Sequence, residues 1–330
     1  MQDTRMKAII ATGYGGPEVL QLSEQPLPIP KANELLIEVH AASATRAEGM
    51  MRTGTPYIGR LFTGLRKPKD PIPGTGFAGV VKAVGDQVSR FKLGDRVFGE
   101  TTLGFSTNAE YVTVPEEGVI LSMPEGMPYT EAVTFSDGHL TSMNFLKNIA
   151  QIKSGQSVLI NGASGSLGTA AVQLAHYFGA EVTGVSSGRN AGLVESLGAH
   201  HFVDYTQQDF IQGKKKYDVI FDTVGKQTYQ AAKRVLKPEG LYMSPVLSFS
   251  LLMQMMWTAR FSKQKAKFAA TGLVKEAALR KLLSELLSIY QEGKLKTIID
   301  RQYPLERTAD AHAYIAKGHK KGNVVIAVRA

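Results

Sequence analysis

Between Ser157 and Phe178 an apolar strand, a run of small residues and an amphipathic helix follow one another directly, and this succession most narrows the possible folds. Ser157-Val158-Leu159-Ile160-Asn161 reads as a short buried strand. The loop Gly162-Ala163-Ser164-Gly165-Ser166-Leu167-Gly168 comes next. Leu167, Ala170, Ala171, Leu174, Ala175 and Phe178 then recur at helical spacing until Gly179. Small residues at such a turn let the backbone approach a pyrophosphate, whose charge the helix N-terminus stabilises. Read from Ala163, the spacing is Ala-x-Gly-x-x-Gly, with Ala in the first glycine position. The strand and helix around it supply the context that a dinucleotide-binding turn requires.

The alternation continues. Strands are expected at Glu181 to Val185, His201 to Asp204, Asp218 to Phe221 and Leu241 to Met243. Helices are expected at Asn190 to Leu197 and Lys226 to Leu236, with a turn at Lys237-Pro238-Glu239-Gly240. Strand and helix in turn predict a doubly wound parallel sheet of Rossmann type. The end of the second strand bears on cofactor choice. An NAD site usually places a carboxylate there for the ribose 2′-hydroxyl. This chain instead runs Ser186-Ser187-Gly188-Arg189-Asn190. Arg189 suits a 2′-phosphate, and two hydroxyls and an amide can hydrogen-bond it, so NADP(H) is expected over NAD(H).

Residues up to about 125 read differently. Leu35 to Val39, Phe77 to Val84, Arg96 to Phe98 and Ala109 to Val114 are short strand candidates, with prolines at 26, 28, 30, 68, 71 and 73 between them. A compact barrel-like domain is expected. Near the other end, Ala277 to Gln291 is an amphipathic helix, and the tail closes on a strand at Val324 to Val328. With 330 residues, two domains are expected. The division is 1–125, joined by 270–330, and a nucleotide-binding domain at 126–269. Leu247 to Ala259 is apolar but broken by Ser248, Ser250, Gln254 and Thr258, so it reads as a buried helix and not a membrane span. Met253, Met255, Met256 and Trp257 within it read as packing residues. The absence of cysteine excludes disulfides and thiolate metal sites and fits a reducing compartment. No secretory leader pattern opens the sequence, and a cytoplasmic location is expected. The formal charge of +9 attracts anions, yet the basic residues sit in short scattered groups without interleaved aromatics. Nucleic acid is therefore not an expected partner.

Five separated motifs occur in one order. They are Gly13 to Leu20 (GYGGPEVL), Phe91 to Gly99 (FKLGDRVFG), Asn161 to Gly168, Asp218 to Gly225 (DVIFDTVG) and Lys321 to Ile326 (KGNVVI). In these the chain resembles the zinc-independent medium-chain dehydrogenase/reductase family, quinone oxidoreductase-like branch, over nearly its whole length. The resemblance implies a GroES-like β-rich catalytic domain beside the Rossmann domain, an active site in the cleft between them, and a homodimer. It implies cofactor contacts from Ala163, Ser164, Gly165, Ser166, Leu167 and Gly168, from Ser186, Ser187, Arg189 and Asn190, from Tyr205, from Asp222, Thr223 and Val224, and from Asn323.

Where zinc-dependent relatives carry Cys, His-Glu and Cys, this chain has Thr45, Thr75-Gly76 and Asp137. Asp137 and His139 can ligate, but no third ligand accompanies them, so no metal is expected. Non-zinc relatives often carry Asn at the Thr45 position, Asp at Glu48, an acidic residue at Gly76 and Lys at Asn323. The implied chemistry is hydride transfer to a quinone or an α,β-unsaturated carbonyl compound, with a donor stabilising the charge that develops on oxygen. Tyr57 and Thr45 are the candidate donors, Thr141 matches a family Thr near the nicotinamide, and Asp137 is the candidate proton relay. Each also has a structural reading: an exposed loop Tyr, a backbone-bonded Thr, a helix-packing Thr and a helix N-terminal carboxylate. The alternative function is an NADPH-binding redox sensor or structural protein without turnover.

Overall fold

The computed structural model describes residues 4–55, 57, 60–136 and 138–329. Seven strands come first: β1 (Arg5–Ala11), β2 (Leu20–Pro26), β3 (Glu34–Ala44), β4 (Gly76–Val84), β5 (Arg96–Glu100), β6 (Tyr111–Pro115) and β7 (Val119–Ser122). Six more follow: β8 (Ser157–Asn161), β9 (Glu181–Ser186), β10 (His201–Asp204), β11 (Tyr217–Asp222), β12 (Leu236–Ser244) and β13 (Lys265–Phe268). Strands β14 (Ile299–Pro304) and β15 (Asn323–Ala327) close the chain. The helices used below are α1 (Arg46–Thr53), α2 (Gly138–Met143), α3 (Ser166–Tyr177), α4 (Ala191–Ser196), α5 (Tyr229–Ala232), α6 (Phe249–Phe261), α7 (Glu276–Gln291) and α8 (Thr308–Ala316).

Two compact units form. One comprises Met1–Asp137, Gly272–Glu285 and Ile299–Ala330, the other Gly138–Thr271 and Leu286–Ile298. In the first, β1 and β2 make an antiparallel hairpin, and a seven-stranded sheet runs β14-β15-β3-β4-β5-β7 with β6 also on β3. Strand β3 is buried nearly throughout because β4 lies along one edge while β6 and β15 share the other. Leu35, Ile37, Val39, Phe77, Val81, Val97 and Ile326 fill its core. This packing is close: a Cβ on Gly99 would stand 1.9 Å from the Val119 carbonyl oxygen.

The second unit carries a six-stranded parallel sheet in the order β10-β9-β8-β11-β12-β13. The order reverses between β8 and β11, and ligands of open α/β sheets bind at the carboxyl ends of strands at such a reversal. The glycine loop leaves β8 there.

Three sequence-based expectations change. The helix expected at Lys226 to Leu236 shrinks to α5 plus a 3-10 turn at Lys233–Val235. The backbone N–H groups of Val224, Gly225 and Gln227 are instead taken by the Asp222 carboxylate, which holds that stretch as a loop. The turn at 237–240 lies inside β12, where pairing with β11 jumps from Tyr217↔Leu236 to Val219↔Leu241. The extra residues are accommodated as a bulge. Finally, α6 is not a buried helix. Only Leu251 and Thr258 are buried, while Phe249, Met253, Met256, Trp257 and Phe261 are exposed. Apolar composition overstated burial because the helix meets its unit along a narrow line.

Candidate cofactor and active site

The glycine loop is shaped by contacts that leave no room for side chains. Gly162 has φ +83°, and a Cβ there would lie 2.5 Å from Thr223 Oγ1 and 2.6 Å from a Val224 methyl. A Cβ on Gly168 would lie 2.0 Å from the Gly162 carbonyl oxygen. Ala163 takes the first glycine position without strain: it is buried, and its N–H donates to the Val185 carbonyl at 3.0 Å. Gly165 is the N-cap of α3 and offers the first turn no side-chain acceptor. A glycine-lined loop opening a twelve-residue helix is the cradle a pyrophosphate needs. Leu167 stands in the first turn of α3. Its carbonyl accepts from Ser142 Oγ at 2.8 Å, and a Cβ on Gly138 would meet the Ser166 carbonyl at 2.5 Å. Helix α2, which carries the half-buried Thr141, therefore packs closely on this loop.

At the end of β9 the polar residues gather. Ser164 Oγ and Ser186 Oγ are 2.7 Å apart. Asn190 Nδ2 lies 3.0, 3.1 and 3.2 Å from the hydroxyls of Ser164, Ser186 and Ser187. Asn190 Oδ1 is buried and has no partner among the described residues. Arg189 is exposed and forms no ion pair among the described residues. Tyr205 is half exposed, and its N–H donates to the Ser186 carbonyl at 3.1 Å.

Asp222 is fully buried. Oδ1 accepts from Asn161 Nδ2 (2.8 Å), Val224 N (3.1 Å) and Gly225 N (3.0 Å). Oδ2 accepts from Gln227 N (3.2 Å) and the Tyr242 hydroxyl (2.9 Å). Burial, and then this carboxylate, push the Tyr242 phenol well above its usual range. Asp222 thus has its lone pairs occupied from within the protein, and its role is to shape the loop. Thr223 Oγ1 donates to the Asn161 carbonyl at 2.8 Å, tying that loop back to β8.

In the other unit, Thr45 is the N-cap of α1. Its hydroxyl accepts from Glu48 N (3.0 Å) and its N–H donates to Glu48 Oε2 (3.2 Å). Its hydroxyl proton stays available for donation. Glu48 Oε1 also accepts from Thr75 N at 3.3 Å. A Cβ at Gly76 would stand 2.0 Å from Ser136 Oγ and 2.6 Å from Ser43 Oγ. Two serines thus fill the place of a side chain there. Tyr57 is 72% exposed, with the Arg60 guanidinium 4.7 Å from its ring centre. Asn323 is buried at the start of β15. Asp137 lies outside the described residues. Among the described residues no three His, Cys, Asp or Glu gather as a metal site.

Sequence reasoning passed over Ser43, Ser136, Asp204 and the buried pair His312–Glu48, 3.7 Å apart. The Thr45-x-x-Glu48 spacing carried a capping-box signal. His312 carried none. Burial, and then the Arg52 charge, push His312 down to about 4. Glu48 pulls the other way, but its Oε2 already accepts the Thr45 N–H. The basic runs have local uses as well. Lys215 pairs with Glu181 at 2.9 Å, Lys265 bonds the Thr258 carbonyl at the end of α6, and Lys267 bonds the Ile149 carbonyl.

A GroES-like β unit together with a Rossmann unit that bears a glycine loop at its topological switch defines the dehydrogenase/reductase class. Residues 31–125 match the alcohol dehydrogenase GroES-like domain and residues 197–326 match the zinc-binding dehydrogenase family. Human quinone oxidoreductase is 31% identical over 333 residues, covering 95% of this chain and 94% of that protein. The tomato 2-methylene-furan-3-one reductase is 32% identical over 335 residues, covering 98% and 79%. The structure of Escherichia coli quinone oxidoreductase complexed with NADPH covers 98% of this chain and 99% of that one, with TM-score 0.83 and 23% identity, a likeness of fold. The chain belongs to the medium-chain dehydrogenase/reductase family, in its quinone oxidoreductase-like branch. It is an oxidoreductase of that family. Among the described residues no helix is long and apolar enough to cross a membrane.

Proposed function

We propose that this chain is a zinc-independent, NADPH-dependent reductase of quinones or α,β-unsaturated carbonyl compounds. The observation that carries the reading is Arg189. An exposed guanidinium without an ion-pair partner among the described residues follows β9, where an NAD site usually has a carboxylate. The glycine loop beside it, which admits no Cβ at Gly162 or Gly168, fits the pyrophosphate of the same nucleotide. The names of the human and tomato relatives support the two acceptor classes. The lack of cysteine and the serines packed against Gly76 support chemistry without zinc. We further propose a cytoplasmic homodimer, to which the exposed face of α6 is suited.

The reduced nicotinamide, when bound, supplies a hydride. Ser166, Leu167 and Gly168 hold the pyrophosphate, Ala163 and Ser164 set the turn, and Arg189, Ser186, Ser187, Asn190 and Tyr205 take the adenosine end. Asp222 keeps Thr223 and Val224 against Gly162, and Asn323 contributes a further contact. Thr45 and Tyr57 are the donors proposed to stabilise negative charge on the acceptor oxygen, and Thr141 is proposed to lie beside the nicotinamide. Asp137 is proposed to relay the proton. A second reading, NADPH binding without turnover, rests on Thr45, Gly76 and Asn323, which depart from the residues that non-zinc relatives often carry. NADPH absorbance, followed with quinones and 2-alkenals after chelator dialysis, tests both. Acceptor-dependent loss that survives dialysis and is faster than with NADH is expected. Binding with no turnover across the panel would leave the second reading.

A further inference from the structure

We infer that Asp204 is a positioning residue for cofactor choice, fixing the turn that presents Arg189 and so setting the preference for a 2′-phosphate over a free 2′-hydroxyl. This deepens the function proposed above and rests on it. Strand β10 pairs with β9 in the register Asp204↔Ser186, which brings the carboxylate to the turn that follows β9. Its Oδ2 stands against Gly188, 2.4 Å from where a Cβ would lie. Oδ1 accepts from Thr206 N at 2.9 Å and from Thr206 Oγ1 at 2.8 Å.

The opposite side of the turn is held as well. Asn190 N donates to the Ser187 carbonyl at 2.9 Å, and the Asn190 amide spans three serine hydroxyls. Arg189, between the two anchors, has no such tether among the described residues. Gly188 does not adopt positive φ; a Cβ there would lie 2.4 Å from Asp204 Oδ2 and would push that carboxylate aside. The Asp204 carboxylate thus packs against Gly188, the residue just before Arg189. A turn whose backbone is supported on both sides loses less backbone freedom when a phosphate binds the cation it carries, which is where preorganisation gains affinity.

Calorimetric titration with the fragments 2′,5′-ADP and 5′-ADP isolates the phosphate contribution. In the parent, 2′,5′-ADP is expected to bind at least about tenfold tighter, as a charge-assisted contact provides. Asp204→Ala and Gly188→Ala should each reduce that ratio about fivefold, while the 5′-ADP Kd stays within about twofold. The double variant R189A/D204A should lose no more than R189A alone, because Asp204 acts through Arg189. An undiminished or raised ratio in Asp204→Ala, or losses that simply add in the double variant, would overturn the inference. Should Asp204→Ala not fold, Gly188→Ala and Thr206→Val carry the same test. A parent without preference for the 2′-phosphate would overturn the NADPH reading and this inference with it. A parent with the preference and an unaffected Asp204→Ala variant would overturn the inference alone.

Discussion

Asp222→Ala should destabilise the Rossmann unit severely, and the hydrogen bonds around the carboxylate set the scale. Five donors converge on a side chain with no solvent exposure. Removing it strands Asn161 Nδ2 and the N–H groups of Val224, Gly225 and Gln227 from this acceptor, while the Tyr242 hydroxyl keeps the Gln227 carbonyl at 2.9 Å. Each buried donor left unpaired costs about 1–3 kcal/mol, but relief from burying a charge and entry of water offset part of the sum. Loss of one partner from a buried charged network typically costs about 3–5 kcal/mol, and that is the expected value. Asp222→Asn should cost less, about 1–3 kcal/mol. Its oxygen can still serve the Oδ1 donors, and its amide can donate to Tyr242, whose proton then goes to Gln227. Only the Gln227 N–H would face another donor. Scanning calorimetry is the assay, because two units need not unfold together. The transition that bound NADPH shifts should fall by roughly 10 °C in the alanine variant. Equal effects of Ala and Asn, or no shift in either, would refute the hydrogen-bond reasoning.

Two further outcomes are expected. Gly168→Ala drives a methyl to 2.0 Å from a backbone oxygen that no rotamer change can move. It should cost about 1–3 kcal/mol of stability despite its better helix propensity, and weaken NADPH binding at least about tenfold; titration calorimetry at parental affinity would contradict this. His312, held down to about 4 in the folded chain against 6.5 unfolded, makes stability depend on pH. Above 6.5 both states are neutral; as pH falls toward 4 the unfolded chain takes up a proton the folded chain refuses, so stability is lost through that window. The loss reaches at most about 3 kcal/mol, less whatever Glu48 restores. Denaturant titrations of the parent and His312→Gln at pH 7 and pH 4.5 should show the variant losing less, and equal losses would refute the assignment.

Local pattern carried much of the fold. The strand, glycine turn and helix from Ser157 to Tyr177 are contiguous, so periodicity and loop composition expose them in one window. Arg189 is legible for the same reason, since its meaning comes from the strand just before it. What escaped depends on partners far along the chain. Glu48 meets His312 through the packing of α1 and α8, and no local spacing announces that pair. Asp204 looks like an ordinary strand-end turn residue until β9 and β10 bring Gly188 against it. The helix expected from Lys226 gave way because a buried carboxylate competed for its N–H groups. Helix α6 misled in the other direction, since hydropathy records what a side chain prefers and not whether the fold covers it.

The most direct test of hydride transfer to an activated double bond is a turnover of a 2-alkenal with NADPH carrying deuterium at C4 of the nicotinamide on the transferred face. One deuterium per NADPH at the β-carbon of a saturated aldehyde is the predicted result. Deuterium on the carbonyl carbon of an alcohol product, or recovery of unlabelled alkenal with NADPH bound and unconsumed, would contradict it.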